Sequence, residues 1–105
     1  MSWNKLYSGA HWSLRYVEAE RVHELIREKS KGFKLLDGPV DIEITAYFRT
    51  RPLDADNVMS KYYVDGLKGI LIRDDTPEYV RSVKTKSRRD LLRPRIEIEV
   101  MYSTD

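Results

Sequence analysis

The 105-residue sequence contains no cysteine, which excludes disulfide bonds, thiolate metal sites and thiol nucleophiles. No apolar run approaches the roughly 18 residues that a membrane-spanning helix requires. The first residues, Met1 to Leu6, also lack the apolar stretch of a secretion signal. We therefore expect a soluble protein of the cytoplasm that has no membrane partner.

Several ligand-binding motifs are missing as well. There is no glycine-rich phosphate-binding loop, and the two histidines have no partner His or Cys at the spacing of a zinc site. An EF-hand would need an oxygen ligand and a glycine where Val58 and Met59 stand. The sequence therefore argues against calcium sensing, against zinc and against a small-molecule cofactor.

The apolar content is nevertheless sufficient for a core. Leu, Ile, Val and Phe make up 27 of the 105 residues, although 34% of the chain is charged. At 105 residues the chain has room for one hydrophobic core. It has no repeat, low-complexity tract or linker, so we expect one domain over residues 1–105.

The net charge of +2 conceals one concentrated basic segment. Residues Arg81–Arg95 contain seven basic side chains and one acid, so the rest of the chain is net negative. A localised basic surface is typical of proteins that contact phosphate, because each contact releases counterions from the polyanion. The alternative is an ordinary solvated loop.

Hydrophobic periodicity predicts two helices and three strands. The predicted helices are Leu14–Lys29 and Asp56–Leu67, and the predicted strands are Val40–Phe48, Tyr79–Thr85 and Ile96–Tyr102. This order favours an α+β fold, in which two main helices pack against one small mixed sheet.

Acidic residues follow two of the apolar segments. Asp54 and Asp56 come after the strand Val40–Phe48, and their i, i+2 spacing on extended backbone directs both to one side. Asp74 and Asp75 follow Ile70–Ile72. If these groups converge, their mutual repulsion calls for a divalent cation, and all-oxygen ligands favour Mg²⁺ or Mn²⁺.

Each feature also has a purely structural interpretation. Asp54 or Asp56 can cap a helix, Asp74-Asp75-Thr76-Pro77 can form a turn, and Lys61 can pair with Asp65 on one helical face. Taken together with the basic segment, they favour a phosphodiesterase site in which Lys61 either neutralises charge on the scissile phosphate or protonates a leaving group.

In its acidic motifs the sequence resembles the RusA family of Holliday junction resolvases and its phage relatives. The residues that carry the resemblance occur in the family's order: Leu53-Asp54-Ala55-Asp56-Asn57, Lys61, Asp65-Gly66-Leu67 and Ile72-Arg73-Asp74-Asp75. The likeness spans most of the chain. It implies an intertwined homodimer and an intracellular bacterial or phage protein of DNA recombination and repair.

The resemblance also implies a reaction and a site. The expected activity is an Mg²⁺- or Mn²⁺-dependent endonuclease that resolves four-way DNA junctions by paired cuts. Asp54, Asp56 and Asp75 would be catalytic metal ligands, Asp74 a secondary acid, and Lys61 the essential cation. The residues expected to bind the DNA backbone are Arg49, Arg51, Lys84, Lys86, Arg88 and Arg89. Two alternatives stay open: a junction- or duplex-binding module without cleavage, and a phage nuclease for flaps or single strands.

Overall fold

Two helices and four strands form the part of the chain that the computed structural model describes, namely the backbone of residues 9–15 and all atoms of residues 22–50 and 60–104. In chain order the elements are β1 (Gly9–Arg15), α1 (Val22–Lys29), β2 (Val40–Phe48), α2 (Ser60–Leu67), β3 (Val80–Arg89) and β4 (Arg95–Tyr102). Each of these two helices has eight residues, and neither could span a membrane.

The strands form one mixed sheet in the order β1-β4-β2-β3. β4 pairs antiparallel with both β1 and β2, whereas β3 pairs parallel with β2 at one edge of the sheet. The connection from β3 to β4 therefore passes the carboxyl end of β2, where the N–H of Asp90 donates to the carbonyl of Phe48 at 2.8 Å. The predicted α+β class with a mixed sheet is confirmed.

The core lies on one face of the sheet because apolar residues alternate along the central strands. In β2, Ile42 and Ile44 are almost fully buried, and their register partners in β4, Val100 and Ile98, are too. The helices cover this face through the buried side chains Val22, Ile26, Tyr63, Val64 and Leu67.

The two helices approach closely at Gly66. A methyl group built on Gly66 would lie 2.7 Å from Cδ1 of Ile26 and 3.0 Å from the ring of His23, closer than side chains normally pack. Glycine at this position therefore allows α2 to contact α1. It belongs to the Asp65-Gly66-Leu67 motif, so part of that motif serves the packing.

The predicted helix Leu14–Lys29 is wrong at its start. Leu14 and Arg15 belong to β1, the helix is described over Val22–Lys29, and residues 16–21 of the prediction lie outside the described residues. Along β1, Ala10, Trp12 and Leu14 lie in register with core residues of β4. These apolar residues alternate with polar ones, which is the two-residue period of a strand. The prediction assigned Leu14 to a helix because it did not take this alternation into account.

The other predicted elements are confirmed with changes at their ends. The strand Val40–Phe48 has the bounds that the sequence predicts, and β4 begins one residue earlier, at Arg95. β3 extends four residues beyond the predicted Thr85, to Arg89. The second helix is described from Ser60, and the predicted start at Asp56 lies outside the described residues.

Candidate active site and basic surface

Asp75 lies in the segment that connects α2 to β3, next to the end of α2. Its Oδ2 is 3.2 Å from Nζ of Lys68, and the same ammonium lies 3.8 Å from Oδ1 of Asp65. All three side chains are partly exposed, between 34% and 39%. The end of α2 therefore presents two carboxylates and one cation within reach of solvent.

Asp74 has a structural part in the same turn. Its Oδ1 accepts a hydrogen bond of 2.8 Å from the N–H of Asp75. The carbonyl of Thr76 then accepts from the N–H groups of Tyr79 and Val80, which leads the chain into β3. Asp74 and Asp75 therefore lead directly into the turn at 77–79, and the hydrogen bond to Asp74 constrains the backbone at Asp75.

The ion pair between Lys68 and Asp75 changes the pKa of both residues. The hydrogen bond from Lys68 is the main reason that the pKa of Asp75 lies below its usual value, and desolvation opposes it. The same hydrogen bond to Asp75 raises the pKa of Lys68. At neutral pH the site therefore holds an ionised carboxylate beside an ammonium.

We expect Lys68→Met to raise the pKa of Asp75. In the wild type the cation favours the ionised carboxylate, so Asp75 loses its proton at a lower pH than it would without Lys68. A carboxyl ¹³C NMR titration without divalent metal measures this pKa directly. Lys84→Met, at an exposed lysine of β3, is the matched control. An unchanged Asp75 titration in Lys68→Met would show that the ion pair does not form in solution.

Lys68 is the functional candidate that sequence analysis missed. The sequence pointed to Lys61, which is exposed near the start of α2, whereas Lys68 is the cation beside Asp75 and Asp65. Lys68 follows Lys61 by seven positions, just after the end of α2, which places it about 10 Å further along the helix axis. The available signal was the i, i+3 spacing of Asp65 and Lys68.

Three residues of the predicted site, Asp54, Asp56 and Arg51, lie outside the described residues. Within the described residues, no group of three or more His, Asp or Glu side chains is placed to hold a metal ion. Asp74 and Asp75 do fit part of a magnesium site, because both offer carboxylate oxygens on one partly exposed turn. The ion pair with Lys68 shows that positive charge is stabilised at this position.

The basic segment runs along β3, at the edge of the sheet. By register with β2, Lys84, Lys86 and Arg88 lie on the sheet face opposite the helices. Lys84, Arg88 and Arg89 are exposed, while Lys86 pairs with Glu43. Most of the charge of this strand is therefore presented to solvent.

Arg95 belongs to the same segment, but its side chain makes contacts within the fold. Its guanidinium donates to Asp90 at 2.7 Å and to Glu97 at 2.8 Å, and it lies 3.9 Å from the centre of the Tyr47 ring. These contacts on both sides of the guanidinium stabilise the start of β4. Arg95 is therefore unlike its exposed neighbours in the segment.

The α+β domain thus has partly exposed carboxylates with a cation beside them, and a basic strand at the edge of its sheet. Both features are typical of proteins that bind phosphate groups. The family model "Endodeoxyribonuclease RusA" matches residues 7–101, nearly the whole chain. The chain belongs to the RusA family of endodeoxyribonucleases, and this membership supports a nuclease that acts on Holliday junctions. No curated protein and no solved structure matches the chain.

Proposed function

We propose that this protein is a metal-dependent, structure-selective endonuclease that resolves four-way DNA junctions by paired cuts. The observation that carries the proposal is the turn at Asp75. This turn exposes an ionised carboxylate, fixed by Asp74 and Lys68, in a chain of the RusA family. The exposed basic strand β3 adds a surface of the charge that DNA requires.

The proposed metal ligands are Asp54, Asp56 and Asp75, with Asp74 as a secondary acid. Mg²⁺ or Mn²⁺ bound there would supply Lewis-acid catalysis for phosphodiester hydrolysis. The carboxylate of Asp75 is ionised at neutral pH and so needs no proton loss before it binds a cation. We assign to Lys61 the role of offsetting negative charge that develops on the phosphate.

The proposed DNA-binding residues act on the backbone and do not read bases. They are Arg49, Arg51, Lys84, Lys86, Arg88 and Arg89. Because a four-way junction is twofold symmetric, we propose a homodimer whose two sites make the paired cuts.

A cleavage assay on a four-way junction tests this function. We expect nicks at symmetric positions in Mg²⁺ or Mn²⁺, and none in EDTA. Binding without metal-dependent nicks would instead indicate a DNA-binding module. Flap, duplex and single-stranded substrates under the same conditions separate a junction resolvase from a general phage nuclease, which would cut flaps or single strands equally well.

We expect the double variant Arg88→Ala/Arg89→Ala to bind junctions more weakly and with a shallower salt dependence. Both guanidinium groups are exposed at the end of β3, and each lost phosphate contact reduces the salt slope by about one. The slope should therefore fall by about one to two, as measured by titrations at several salt concentrations.

Arg27→Ala/Lys31→Ala removes the same charge from two exposed basic residues elsewhere and is the control. This control should keep the wild-type slope. An unchanged slope in the Arg88/Arg89 variant would show that these side chains do not contact phosphate.

A further inference from the structure

The loop that joins β3 to β4 exposes two adjacent leucines. Leu91 is 57% exposed and Leu92 is 86% exposed, the largest exposures of any large hydrophobic residue in the described part of the chain. Burying a leucine is normally favourable, so an exposed pair at one position calls for a reason.

The loop is held in place by hydrogen bonds. Oδ1 of Asp90 accepts from the N–H groups of Leu92 and Arg93, each at 3.1 Å. Nη1 of Arg95 donates to Oδ2 of Asp90 at 2.7 Å and to the carbonyl of Arg93 at 2.8 Å. These bonds fix the backbone on both sides of the leucines, so their exposure is a built feature of the loop.

The surroundings of the leucines are basic. Arg88 and Arg89 precede the loop and Arg93 lies within it, all three exposed. Arg49 is exposed just beyond the end of β2, the strand end that the loop passes. An apolar tip with a cationic rim is complementary to stacked bases between two phosphate backbones.

We propose that Leu91 and Leu92 form a wedge that inserts against an unstacked base step at the branch point of the DNA. This inference rests on the proposed function. Apolar side chains that enter a base step must overcome its stacking energy, which is smallest where bases are already unpaired or unstacked. The wedge therefore favours branched DNA over continuous duplex, while Arg88, Arg89 and Arg93 bind the flanking phosphates.

The test uses a four-way junction with 2-aminopurine at the branch point and a linear duplex of the same sequence, both in EDTA. We expect wild-type protein to raise the 2-aminopurine emission and to prefer the junction. Leu91→Ser/Leu92→Ser should lose the emission rise and about tenfold in junction affinity, because the contacts of two apolar side chains with the opened base step are lost. Duplex affinity and salt slope should not change.

Val83→Ser, at an exposed apolar residue of β3, is the matched control and should behave as wild type. Circular dichroism checks folding, and Leu92→Ser alone repeats the test at the more exposed position. Sedimentation measures the oligomeric state of each variant.

Three results would overturn the wedge. One is a double serine variant that keeps the emission rise and the junction preference. Another is a variant whose oligomeric state changes, since the leucines would then belong to a contact between copies of the chain. The third is a wild-type protein that cuts junctions in Mn²⁺ without an emission rise, which leaves the proposed function intact. A wild-type protein that neither cuts nor prefers junctions overturns both proposals.

Discussion

Replacing Asp75 with asparagine should reduce junction cleavage by about 10²-fold to 10⁴-fold, since a metal ion contributes several kcal/mol to such a reaction. The substitution keeps the size of the side chain and removes the charge that a divalent cation needs. Binding should be kept or strengthened, because a negative charge near the phosphates is lost and Lys68 loses its 3.2 Å partner. Single-turnover cleavage and EDTA-containing binding titrations measure the two effects separately.

The matched control is Asp37→Asn. Asp37 is also an exposed carboxylate in an ion pair, with Arg73 at 2.7 Å, but it is outside the proposed site. It should cleave at the wild-type rate. Near wild-type turnover of Asp75→Asn would remove Asp75 from the catalytic site. Asp56→Asn is expected to share the phenotype of Asp75→Asn.

Truncation of Ile98 to alanine should lower the free energy of unfolding by about 2–5 kcal/mol. Ile98 is fully buried at the centre of β4, where it is the register partner of Ile44 in β2. Loss of its side chain leaves a cavity that the paired strands on both sides prevent from collapsing. This loss is a large share of the total free energy of unfolding of a small domain, which is typically about 5–15 kcal/mol.

Urea denaturation at one fixed protein concentration measures this difference. Leu92→Ala removes a similar side chain at an exposed position and should change stability by no more than about 0.5 kcal/mol. A loss below about 1 kcal/mol for Ile98→Ala would contradict the packed core described above.

The elements that the sequence predicted best are those that pack one face against the core. In β2 the alternation of Ile42 and Ile44 with charged residues follows directly from a strand with one buried face. In β3, by contrast, Thr85, Ser87 and Arg89 are in register with apolar residues of β2 but are themselves polar, because this strand lies at the sheet edge and none of the three is buried. Without apolar alternation, the predicted strand ended too early.

The site was predictable in its residue types and less so in its contacts. Asp75 could be identified from the family motif, but its pairing with Lys68 depends on how the segment after α2 folds back. No local pattern encodes that tertiary contact. Hydrophobic periodicity also does not predict the exposed loop at Leu91 and Leu92, because two consecutive leucines are compatible with burial as well as with exposure.

We propose that Asp75 shares one divalent cation with Asp54 and Asp56, and anomalous diffraction from a crystal soaked in MnCl₂ tests this arrangement. We predict one manganese peak bonded to carboxylate oxygens of Asp75 and of Asp54 or Asp56, at about 2.0–2.3 Å. A peak at Asp54 and Asp56 with Asp75 still paired to Lys68, or no peak at any of them, would contradict the claim.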